Sequence, residues 1–135
     1  MGTSDWLSVS QTQIDAFADL TQDHQPIHLD PKAARAAGFD GTVAHGFLTL
    51  SMLSVMSYQV LPQMAGETAS INYGFDRIRF IAPVRSGARI RSHFTLSAAE
   101  ARGSGWMLRF AVVVEIKGQE KPALTADWLC LYLFD

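Results

Sequence analysis

The sequence has a single cysteine, Cys130, and that alone removes several kinds of chemistry. One thiol makes no internal disulfide, and no Cys-x-x-Cys pair is present to hold a metal. Cys130 sits in an apolar run and is read as an inert core thiol. Charge is also scarce: charged residues make up 18% of the chain and the net charge is -2, which argues against nucleic acid as the main partner. No apolar run reaches the roughly 18 residues that a bilayer span needs. Met1-Gly2-Thr3-Ser4-Asp5 shows no basic segment followed by an apolar one, so no leader is read there. Trp6 stands where a myristoylation start wants Ser or Thr. A cytoplasmic protein with no membrane partner is expected. Gly-x-Ser-x-Gly is missing, and so are Gly-x-Gly-x-x-Gly and Walker patterns. Serine-hydrolase chemistry and nucleotide cofactors are therefore unsupported, and no cofactor is expected.

What is present is a globular composition, 48% apolar over 135 residues, read as one domain covering 1–135. A chain of this size buries roughly two thirds of its unfolded surface. The first half reads as helical. Asp5 to Val9 is a short edge strand. Ser10-Gln11-Thr12-Gln13 has the form of a capping box opening a helix that ends near Leu20 or Thr21. Pro26 disfavours helix at Gln25, so the following segment starts extended or as a turn. Asp30 caps a short helix that begins at Pro31 and stops at Gly38. Phe47 to Tyr58 carries no charge, Gly or Pro and is apolar on nearly all sides, which predicts a helix buried all round. Ser51, Ser54 and Ser57 give it one small polar stripe; hydroxyls in such a stripe either admit a ligand or bond back to helix carbonyls.

From Ala69 the period changes to two. Ile71, Tyr73 and Phe75 alternate, and Ile78 and Phe80 continue in the opposite phase, so a bulge or bend falls near Asp76-Arg77. Pro83 and Gly87, Gly103 to Gly105, and Gly118 to Lys121 mark turns between further strands. Leu124 to Phe134 is apolar on both faces, which predicts a strand covered on both sides. The whole reads as an α+β fold, a curved antiparallel sheet wrapped around a central buried helix. Its apolar surfaces are too extensive for a lone chain, so a homodimer or higher homo-oligomer is expected.

Chemistry concentrates in Asp23-His24-Gln25-Pro26-Ile27-His28-Leu29-Asp30, two imidazoles and two carboxylates in a chain with four His. A carboxylate and an imidazole can together hold and deprotonate one water and pass its proton on. Asp23 and His28, with Pro26 bending the chain between them, suit that task. His24 and Asp30 are the rival pair, but Asp30 is better explained as a helix cap, and His24 points away from Asp23 in an extended stretch. Spacing of His24, His28 and His45 does not follow helical ligand patterns and no thiolate accompanies them, so no metal is expected. Developing negative charge needs backbone N–H donors, which the start of the apolar helix supplies; Gly46 sits there and permits close approach.

Asp23 to Pro31, followed by Ala44-His45-Gly46-Phe47-Leu48-Thr49-Leu50-Ser51, resembles the MaoC-like dehydratases, including the (R)-specific enoyl-CoA hydratases and the nodulation protein N-like subgroup. Trp6, Phe17-Ala18, Thr21 and Phe80-Ile81-Ala82-Pro83-Val84-Arg85-Ser86-Gly87 are also similar to that family. The resemblance implies a dimeric hotdog fold acting on acyl-thioester substrates. It places the catalytic pair at Asp23 and His28, the oxyanion glycine at Gly46 and a supporting serine at Ser54, with His45 and Phe47 flanking the glycine. Gln25 replaces the family's usual Asn before Pro. The implied activity is reversible hydration of a trans-2-enoyl thioester, of coenzyme A or a carrier protein, to the (R)-3-hydroxyacyl thioester. Coenzyme A then enters as part of the substrate, with Arg79 and Arg85 as candidates for its phosphates; the other reading of alternating Arg is a solvated strand face. Two further readings remain: a non-catalytic acyl-CoA binding or regulatory module, and a thioesterase. Thioesterases and dehydratases with a carboxylate in the central helix need Asp or Glu between Phe47 and Tyr58, and neither occurs there.

Overall fold

The computed structural model describes all 135 residues. Helices come first. The capping box forms as expected: the Gln13 N–H donates to the Ser10 hydroxyl and the Ser10 N–H to the Gln13 side chain, opening α1 (Gln11–Thr21). Gln22 adopts a left-handed conformation (φ 62°), ends α1 and turns the chain. Asp23, His24 and Gln25 run without regular structure, as the proline predicts. Pro26–Leu29 then closes one turn of helix, α2, which periodicity did not indicate. A four-residue turn is too short to show a period, and Pro at its first position is the only local signal. Asp30 caps α3 (Pro31–Ala36) by accepting from the Lys32 N–H at 2.9 Å.

The apolar helix comes in two pieces, α4 (Gly46–Ser51) and α5 (Leu53–Val60), loosened at Met52 where ψ opens to -10°. It remains one rod, because Met52 N–H donates to Leu48 and Met56 N–H to Met52. Leu48, Leu53 and Met56 bury against the sheet. The expectation of burial all round is not met: Phe47 is 69% and Tyr58 75% exposed, and Val55 also faces out. A single sheet covers one side of a helix, so the second apolar side has nothing in this chain to lie against. Ser51 and Ser57 bond back to the carbonyls of Leu48 and Ser54.

The sheet supplies the wrap. Gly2–Thr3 (β1), Leu7–Ser8 (β2), Glu67–Phe80 (β3), Arg89–Arg102 (β4), Gly105–Ile116 (β5) and Leu124–Phe134 (β6) form one antiparallel sheet. The spatial order is β1-β4-β5-β6-β3, with β2 also along β4. The expected Asp5–Val9 strand is shortened because side chains interrupt the ladder: Ser4 accepts from the Ser92 N–H, and the Asp5 N–H donates to Gln59. Between β3 and β6 the register shifts three times, each adding one residue to β3, and one shift falls between Phe75 and Arg77 where the sequence phase slips. Bulges bend and twist a strand, which curves the sheet around the helix. The inner face carries Ile90, Phe94, Phe110, Val112, Leu124 and Trp128, all in one core with Leu53 and Met56. Phe94 and Phe110 are fully buried, each worth roughly 1.5–3 kcal/mol of transfer free energy. Leu129, Leu131 and Leu133 on the outer face of β6 are half-buried rather than covered. This is the hotdog arrangement.

Candidate active site

Three segments meet where α1 ends and α4 begins. Residues 42–44 lie between α2 and the stretch 84–86: Ala44 N–H donates to Val84, Ser86 N–H to Thr42, and Val43 N–H to Ile27. The short α2 turn places His28 against this segment, and its Nδ1–H donates to the Val43 carbonyl at 2.7 Å. A carbonyl only accepts, so Nδ1 carries a proton, and in the neutral ring the lone pair is on Nε2. His28 is 6% exposed. Gln11 braces the turn from α1, donating to the His28 carbonyl and accepting from the Thr42 hydroxyl.

His45, 2% exposed, is the N-cap residue of α4 and stacks on His28 with ring centroids 3.8 Å apart and planes 23° from parallel. Phe17 covers it at 4.9 Å. Its Nε2–H donates across 22 residues to the backbone carbonyl of Asp23 at 3.0 Å. Its other nitrogen, Nδ1, is buried without a partner. Asp23 is exposed, and its carboxylate accepts only the Gln25 N–H at 3.3 Å. One side-chain donor atom from each of Asp23, His28 and His45 lies within 4.8 Å of the other two. Such a group suggests a metal on proximity alone, yet the rings do not fit one. Ligation uses a lone pair in the ring plane at about 2.1 Å, and two nearly parallel stacked rings do not aim theirs at a common point.

Gly46 opens α4, and no carbonyl or side chain of the chain accepts its N–H. A Cβ there would meet the Phe80 ring at 3.0 Å. Gly46 lines an apolar cavity of about 280 Å³ with Phe39, Thr49, Phe80 and Val84. Ser54, two turns along, lines a different one of about 370 Å³, with Asn72, Trp128 and Tyr132. The two candidates therefore sit in separate hollows of the same helix. Phe47 points outward from its start. Gln25 makes no side-chain cap bond; its backbone does the holding, accepting from the His28 N–H.

Other candidates lie apart. His24 pairs with Asp19 at 2.8 Å outside the cluster. Arg79 is exposed and alternates away from Phe80, on the outer face opposite Thr125. Arg85 lies over Gly41 and bonds the Asp40 carbonyl at 3.4 Å. Cys130 is buried, and burial pushes its thiol up to about 12. Sequence reasoning missed Gln11, Thr42 and Val43 as braces and the stacking of His45. Val43 and Thr42 act through backbone and hydroxyl, and no spacing rule reveals that.

The chain matches the sequence pattern of the MaoC-like domain over residues 1–104. Nodulation protein N of Rhizobium leguminosarum bv. viciae is 47% identical over 137 aligned residues, covering all of this chain and 85% of that protein. The 3-hydroxyacyl-thioester dehydratase Z of Mycobacterium tuberculosis H37Rv is 40% identical, over 98% of this chain and 88% of its own length. Among solved structures, the monoamine oxidase regulatory protein from Archaeoglobus superposes with a TM-score of 0.83 at 25% identity, over 98% of this chain and 88% of that one. The (R)-hydratase from A. caviae shares the fold, with a TM-score of 0.75 at 24% identity over 96% of both chains.

Proposed function

This chain belongs to the MaoC-like domain family, and from that premise we propose that it interconverts trans-2-enoyl thioesters and (R)-3-hydroxyacyl thioesters. The observation that carries the reading is His28: buried, oriented by Val43, with Nε2 left free and a ring nitrogen within 4.8 Å of an Asp23 carboxylate oxygen. A water held between the two groups supplies both elements of the addition. Its O–H bond breaks, its oxygen bonds to C3, and the proton passes through the Asp23–His28 pair to C2 as the double bond is consumed. The negative charge that collects on the thioester oxygen in between needs a donor, and the unengaged Gly46 N–H supplies one in a low-dielectric hollow. Coenzyme A enters as part of the substrate, and no cofactor takes part in these steps. Arg85, on the loop beside the Gly46 hollow, is the better placed of the two arginines for its phosphates.

A second copy of the chain is part of this reading. Phe47, Val55 and Tyr58 on the uncovered side of the helix, with Ile71 and Tyr73 on edge strand β3, leave apolar surface that a homodimer buries. No helix is long and apolar enough to cross a membrane. The deciding assay follows the enoyl absorbance of crotonyl-CoA with a thiol reagent run alongside. Hydration removes the absorbance and frees no thiol. Thiol release makes the protein a thioesterase, and binding without either change makes it an acyl-CoA binding module.

A further inference from the structure

We propose that His45 is a positioning residue that holds the Asp23 half of the acid/base pair in place beside His28, an inference that rests on the hydratase reading above. Three contacts made by one residue carry it. The ring stacks on His28 at 3.8 Å and 23°, so the residue that holds Asp23 is itself seated against the other member of the pair. The Nε2–H of His45 holds the carbonyl of Asp23 at 3.0 Å, and Asp23 has little else to hold it: it is exposed, follows a left-handed Gln22, and its carboxylate takes one long bond from Gln25. The backbone of His45 begins α4, its carbonyl accepting from the Leu48 and Thr49 N–H groups, so the same residue sets where the Gly46 N–H points.

The unpartnered, buried Nδ1 separates this role from a simple structural one. An imidazole kept only for packing is better replaced by an apolar ring, because a buried nitrogen without a hydrogen-bond partner is costly. Retaining it makes sense where the other nitrogen does something an apolar ring cannot. That something is the bond to Asp23, the one tie between α4 and the chain that carries the carboxylate. His28 is tied independently through Val43. Without His45, His28 stays placed and Asp23 drifts, which loses the distance between the two groups rather than either group.

Two substitutions divide the contacts. His45→Phe keeps a ring to stack on His28 and loses the donor to Asp23; His45→Gln puts an amide N–H near the position of Nε2 and loses the ring. With crotonyl-CoA, His45→Phe is expected to lower kcat by on the order of 10–100-fold with KM changed by less than about twofold, since misplacement of a reacting group costs that much. His45→Gln is expected to recover most of that loss. Equal kcat in wild type and His45→Phe, or a loss in His45→Gln as large as in His45→Phe, overturns the proposal.

Nuclear magnetic resonance reads the same contacts whether or not crotonyl-CoA is a substrate. The Asp23 carbonyl ¹³C shift should move in His45→Phe and stay near wild type in His45→Gln. The His28 ring protons should lose their ring-current shift only in His45→Gln. Unchanged Asp23 shifts in His45→Phe overturn the proposal. A wild type that shows these shifts but does not hydrate crotonyl-CoA sinks the hydratase reading while the positioning contacts stand.

Discussion

Two clusters in this molecule join histidine to a carboxylate, and they end up in opposite states. On the outer face of the sheet, His93 donates or accepts at both ring nitrogens, to Glu115 at 2.7 Å and to the Thr3 hydroxyl at 2.9 Å. Glu115 in turn accepts from two Arg91 nitrogens, Nε and Nη2. Arg91 also lies 4.3 Å over the Trp6 ring. Each nitrogen and oxygen of the His93–Glu115 pair is engaged, and the result pins β1 to β4. In the Asp23–His28–His45 cluster the reverse holds: His28 keeps Nε2 free, His45 keeps Nδ1 free, and the Asp23 carboxylate takes one long bond. A satisfied cluster holds strands together. A cluster with spare lone pairs beside a lightly held carboxylate is equipped to move a proton. Burial separates the histidines and not the carboxylates: His28 and His45 are buried where His93 is partly open to water, while Asp23 is exposed and Glu115 half-buried.

The comparison breaks first, and by the largest margin, at the spare lone pairs. Asp23→Asn and His28→Ala are each expected to lower kcat on crotonyl-CoA by on the order of 10²–10⁴-fold while the circular dichroism spectrum is retained. Full activity in Asp23→Asn would dissolve the distinction. Next is Gly46→Ala. Its methyl meets the half-exposed Phe80 ring at 3.0 Å, which tilts the helix start. A drop of about tenfold in kcat is expected, read in the same assay, with thermal stability nearly unchanged.

The outer cluster should answer in stability and not in rate. The Arg91 guanidinium, then His93, hold the Glu115 carboxyl below its ordinary value of 4.5. A carboxyl held down in the folded state stabilises the fold above its ordinary value, and that contribution is lost as pH falls from there through the folded value. Melting temperature should therefore fall as the solution is taken below pH 4.5, and Glu115→Gln should flatten that slope. The same substitution should cost less than about 1 kcal/mol at neutral pH, because the pair is partly open to water. Smallest of all is His24→Ala. Its only partner is the exposed Asp19 carboxylate, so kcat should stay within about twofold of wild type, as for the loss of a surface pair.

Much of this was legible from residues in order. Ser10 and Gln13, and Asp30 before Pro31, are local devices that act within four residues, and they formed as their chemistry dictates. The alternation from Ala69 onward gave the strands, and the phase slip at Asp76-Arg77 located a bulge. Legibility ended where neighbours in space are strangers in sequence. His28 and His45 stack although 17 residues apart, through a loop with no period of its own. Apolar composition from Phe47 to Tyr58 showed what needs covering but not by what, and this chain leaves Phe47, Val55 and Tyr58 uncovered. Arg79 illustrates a finer limit: it stands one residue before the matching Phe80–Gly87 stretch, yet strand alternation turns it from the Gly46 hollow.

The irregular edge strand has a consequence for how the protein behaves at high concentration. β3 forms one border of the sheet and exposes Ile71 and Tyr73 there. A straight border of this kind is a template on which any extended chain can add, and repetition of that step builds fibrils. Thr68, Tyr73 and Asp76 each insert an extra residue into the border, so its donors and acceptors do not repeat at even spacing. Only a strand with its own matching interruptions can lie along all fourteen residues. The same kinks that curl the sheet around its helix thereby make this edge a poor seed for open-ended stacking.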